Sequence, residues 1–67
     1  MINIFVHVDG KRESASISEE TFEYFSDGAY LRGRPIQAYL HYIVKEYGAL
    51  NEENILKFMN EKWPLNI

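Results

Sequence analysis

Apolar residues recur at every second position from the start of the chain: Ile2, Ile4, Val6 and Val8 are separated by Asn3, Phe5 and His7. A period of two is that of a strand with one buried face. Asp9-Gly10 follows, a dipeptide suited to a two-residue type I′ turn, whose central positions both need positive φ. Such a turn fixes the register of a second strand. Val8 faces Lys11, His7 faces Arg12, Val6 faces Glu13, Phe5 faces Ser14, Ile4 faces Ala15, Asn3 faces Ser16 and Ile2 faces Ile17. One face of the hairpin then carries Ile2, Ile4, Val6, Val8, Ala15 and Ile17, which belong against helices. The other carries Asn3, Phe5, His7, Arg12, Ser14 and Ser16, which face water or a partner. Glu13 falls on the apolar side, where it needs the open end of the hairpin or a cationic neighbour.

After Ile17 the period lengthens to that of a helix. Ser18 is suited to cap the first helix, with Glu19 and Glu20 at the positive end of its dipole. Phe22, Phe25 and Ala29 form its apolar stripe. Asp27-Gly28 interrupts the stripe, so the helix either ends near Ser26 or continues to Arg32. In Arg32-Gly33-Arg34-Pro35, Gly33 suits a left-handed position after a helix and Pro35 the first residue of the next. Ile36, Tyr39, Leu40, Ile43, Val44 and Tyr47 then give a broad apolar face that ends at Gly48. A third helix is capped by Asn51, has Glu52 and Glu53 in its first turn, and is stapled by Leu50 onto Ile55. Ile55, Leu56, Met59 and Trp63 are expected on its buried side, with Pro64 as its stop.

These elements give one small α+β domain over residues 1–67: a hairpin at 1–17, then helices at 18–32, 35–47 and 51–63, packed on one sheet face. Apolar residues make up 46% of the chain, aromatics make up 15%, and there is no cysteine. A chain this short has little core of its own and no disulfide to staple it, so self-association, as a homodimer, is the expectation. Seven Lys and Arg against ten Asp and Glu leave a net charge of −3, which argues against a broad phosphate-neutralising surface but allows a small basic patch. No basic leader, no apolar run of membrane-spanning length and no cysteine point to a soluble cytoplasmic protein.

Candidate chemistry is sparse. The sequence has no G-x-S-x-G, no phosphate-binding glycine loop, no cysteine nucleophile and no H-E-x-x-H. His7 and His41 lie on different elements, and the pairs Glu19-Glu20 and Glu52-Glu53 are explained by the helix dipole. The expectation is a non-enzymatic protein with no metal or cofactor.

The order R-E-S-A-S-I-S-E-E, a first helix, Gly33-Arg34-Pro35 and a second amphipathic helix resembles the ribbon-helix-helix repressors over residues 12–47. In that family, antiparallel strands from two subunits enter the DNA major groove and alternate side chains contact base edges. The resemblance implies a dimeric DNA-binding transcriptional regulator in which Arg12, Ser14 and Ser16 point outward. It also places a phosphate contact at Arg34 and nearby amides. Phe5, His7 and Arg32 complete the candidate binding residues. A second reading, from a different class, is a protein-binding inhibitor or adaptor that uses Phe5, the outward sheet face or a free strand edge.

Overall fold

In the computed structural model, which describes residues 1–63, two strands precede three helices. They are β1 (Ile2–Val8), β2 (Lys11–Ile17), α1 (Glu19–Leu31), α2 (Ile36–Tyr47) and α3 (Glu52–Lys62). Asp9 and Gly10 both have positive φ, 52° and 79°, as a type I′ turn requires. The strands pair in the expected register, from Val8 opposite Lys11 to Ile2 opposite Ile17. The first strand therefore finds its partner within its own chain. Ile4, Val6, Val8 and Ile17 are buried, whereas Asn3, Phe5, His7, Arg12, Ser14 and Ser16 are exposed. Glu13 stands opposite Val6 on the helix side but is only half-buried, so water still reaches its carboxylate.

The helices cover the buried sheet face, with α2 against β1 and α3 against β2. Two exposed polar contacts mark the direction of α2. Gln37 Nε2 donates to the Phe5 carbonyl at 3.1 Å, and Lys45 pairs with Asp9 at 2.9 Å. Eight residues of helix rise about 12 Å and four of strand about 13 Å, so α2 runs alongside β1 in the same direction. The Lys45 ammonium also holds the Asp9 carboxyl below its usual value.

Helix α1 is the longer of the two alternatives: it passes through Asp27-Gly28 and ends at Leu31. Gly33, at φ 73°, donates to the Tyr30 carbonyl at 3.0 Å, and the Arg34 amide donates to Ala29 at 3.1 Å. This is the paired closure of a Schellman motif. Gly28 is there for packing. A methyl group on it would lie 2.5 Å from Cζ3 and 2.8 Å from Cε3 of Trp63. The Trp63 ring stacks on Phe25 with centroids 5.6 Å apart and meets Tyr39 edge-on at 4.9 Å.

Two details differ from expectation. Pro35 is the N-cap of α2 and the helix begins at Ile36, because Pro35 has extended backbone (ψ 153°). On α3 the buried partner of Ile55 is Phe58, 3% exposed, whereas Leu56 is 48% exposed. Leu56 and Phe58 lie about 80° to either side of the Ile55–Met59 direction, so helical spacing alone admits either. The ring cluster of Phe25, Tyr39 and Trp63 takes the aromatic one. Leu50 and Ile55 are both buried, and Asn51 accepts from the Asn54 amide at 2.7 Å. Tyr47 donates to Glu61 at 2.6 Å and ties α2 to α3; that carboxylate pushes the phenol up to about 12. Pro64, expected to stop α3, lies outside the described residues.

Candidate functional site

The outward face of the hairpin gathers five of the expected binding residues, Phe5, His7, Arg12, Ser14 and Ser16, together with Asn3. Phe5 is 44% exposed. The Arg12 guanidinium lies over its ring at 4.4 Å, and His7 meets the same ring edge-on at 6.0 Å. A cation over an aromatic face is attracted by the ring quadrupole, so Arg12 and Phe5 hold each other in place. Toward the open end of the hairpin, the Ser16 hydroxyl donates to Asn3 Oδ1 at 2.6 Å.

Among the described residues, no carboxylate shares this face. Glu13 turns to the helix side, and Asp9, at the turn, is paired with Lys45. A chain with net negative charge thus presents a basic and polar surface here. Lys11 and Val8 flank the turn as a hydrogen-bonded pair. By the alternation of the ladder, the main-chain groups of Arg12, Ser14 and Ser16 then point away from β1. Among the described residues, no main-chain group from another element reaches them.

Arg32 and Arg34 lie outside that face. The Arg32 side chain bends back, donating to the Gly28 carbonyl at 3.1 Å with its guanidinium 4.4 Å from the Trp63 ring. Arg34 lines a groove between α2 and α3, with a cavity of about 300 Å³. Tyr39, Tyr42, Phe58 and Trp63 supply its apolar lining, and Lys62 is its second cation. The N-terminus of α2 has no side-chain cap, since Pro35 lacks a side-chain oxygen. Sequence reasoning passed over Lys62 because the groove joins residues on two helices that no local spacing relates.

The acidic pair at Glu52-Glu53 has a further use. Glu52 accepts from the hydroxyls of Thr21 at 2.6 Å and Ser18 at 2.9 Å, and from the Ser18 amide at 3.3 Å. The Ser18 hydroxyl in turn accepts from the Thr21 amide at 3.2 Å. Charge-assisted bonds favour the ionised carboxylate, and the Thr21 and Ser18 donors hold Glu52 below its usual value. The first turns of α1 and α3 are thereby joined. Among the described residues, no three His, Asp or Glu side chains come together as metal ligands, and no helix is long and apolar enough to cross a membrane. No protein-family model, characterised protein or solved structure matches the chain.

Proposed function

We propose that this chain is a non-catalytic DNA-binding protein that enters the major groove with its hairpin, in the manner of a transcriptional regulator. The observation that carries the reading is the acid-free outward face. In an acidic chain, Arg12, Ser14, Ser16 and Asn3 project from one side of a two-stranded ribbon. A two-stranded ribbon fits a major groove about 12 Å wide. Two hairpins joined edge to edge would span about 14 Å between their outer strand axes alone. The ribbon that enters is therefore the hairpin of one chain. Arg12 is the base-contacting side chain, the Ser14 hydroxyl donates to a base edge or phosphate, and Phe5 supplies an apolar edge suited to a thymine methyl.

Fluorescence anisotropy against a duplex library at low and moderate salt tests this. Sequence preference and a salt-dependent affinity are expected. Arg12→Ala should weaken the preferred site by about 1–3 kcal/mol and relax preference at one base position. If Arg12→Ala combined with Ser14→Ala leaves affinity and preference unchanged, the ribbon is not the reading element.

One observation favours a second reading. Phe5 is a large apolar side chain on the exposed sheet face, one strand in from the open β2 edge, and an open edge beside an apolar anchor is the arrangement used to add a partner protein's strand. Under that reading Phe5→Ala abolishes binding to a protein target, and duplex DNA shows no sequence preference.

A further inference from the structure

We propose that the groove between α2 and α3 is the docking site for helix α1 of a second copy of this chain. This goes beyond the hairpin reading and uses none of its residues. The groove has a cavity of about 300 Å³, an aromatic lining and two cations, Arg34 and Lys62, and among the described residues no carboxylate lines it. Neither cation pairs with a described acidic residue; the one ion pair among the described residues is Lys45 with Asp9. An open apolar groove with basic residues in its wall is complementary to a helix that offers apolar anchors beside carboxylates.

Helix α1 is such a helix. It contains no Lys or Arg, and Glu20, Glu23 and Asp27 are exposed on it. On the same outer surface Tyr24, Tyr30 and Leu31 are 69%, 84% and 80% exposed. Large apolar side chains left in water in this number mark a contact surface rather than random exposure. The sign of charge is thus segregated on one small molecule, acidic and apolar along α1, basic and aromatic in the groove.

The two surfaces also adjoin. Trp63, which lines the groove, packs directly against Gly28 of α1. Neighbouring complementary patches allow one two-fold axis to place each copy's α1 over the other's groove. Both contacts are then made at once and the assembly closes as a dimer instead of growing. In that pair Leu31 or Tyr24 fills the aromatic groove, while Glu23 and Asp27 face Arg34 and Lys62.

Sedimentation equilibrium of the full chain, from micromolar to about millimolar concentration, measures this on the affinity scale where each tenfold is about 1.4 kcal/mol. A dimer is expected. Glu23→Lys with Asp27→Lys should weaken self-association about tenfold or more, and so should Arg34→Glu with Lys62→Glu. An equimolar mixture of the two variants should recover association, because one reversed helix then meets one reversed groove. All four positions are exposed, and circular dichroism confirms that each variant is folded. A wild-type chain that stays monomeric throughout overturns the proposal. A dimer indifferent to both reversals overturns it too, since it must then assemble elsewhere, as along β2. Loss of dimer in both variants without recovery on mixing overturns the pairing of these two surfaces. Arg12→Ala and Phe5→Ala leave association unchanged, so the outcome is independent of what the hairpin binds.

Discussion

Replacing Gly28 with alanine sets two effects of opposite sign against each other. In an ordinary helix interior the change stabilises by about 1 kcal/mol. Here the added methyl would stand 2.5 Å from Cζ3 of Trp63, well inside contact distance. The ring has little freedom to retreat. It is held by Phe25, Tyr39 and Phe58 and by the Arg32 guanidinium. Forcing a methyl into packed surroundings costs about 1–3 kcal/mol, so the net expectation is a loss of about 1 kcal/mol. In a domain of this size that lowers the midpoint by about 4–8 °C. Urea and thermal unfolding followed by circular dichroism give the sign. Emission from the sole tryptophan should also shift as its ring is displaced. The decisive control is the same change in a Trp63→Leu background. With the ring gone, Gly28→Ala should become stabilising by about 0.5–1 kcal/mol. If Gly28→Ala stabilises the parent chain, the close approach of Trp63 to α1 is wrong, and with it the account of why the helix carries a glycine.

On α3, Phe58→Ala should cost about 3–5 kcal/mol, as much as a core this small supplies, and leave the chain largely unfolded. Leu56→Ala should change stability by less than about 0.5 kcal/mol; equal effects in urea titrations would reverse the assignment of the buried side. Because its donors depress Glu52, its contribution to stability is complete above the ordinary carboxylate range and is lost as pH falls through its own lower value. Glu52→Gln should therefore be less stable at neutral pH and have a shallower acid limb than the parent. Superimposable acid limbs would show that the carboxylate does not join the helices.

The hairpin was legible because its causes are local: Asp9-Gly10 sets the turn, and the turn sets every cross-strand pair down to Ile2 and Ile17. The caps at Ser18 and Asn51 were legible for the same reason, since each acts within one helical turn. What escaped depends on residues far apart in the chain. Gly28 resembles a helix breaker until Trp63 arrives against it from thirty-five positions away. Leu56 and Phe58 are equivalent by helical spacing, and only the rings of α1 and α2 decide between them. Of the candidate binding residues, those on β2 and β1 fell together because strand alternation places them. Arg32 and Arg34, in an irregular connection, are placed by what they stack on and what they line.

The bond between Glu52 and the start of α1 bears on how the chain is made. During synthesis the first helix emerges from the ribosome well before the carboxylate that secures its leading turn, and until then the Thr21 hydroxyl has only the Ser18 side chain and water beside it. The closing latch arrives on a late segment. No fragment ending before position 52 can form the bonds that join the first turn of α1 to α3.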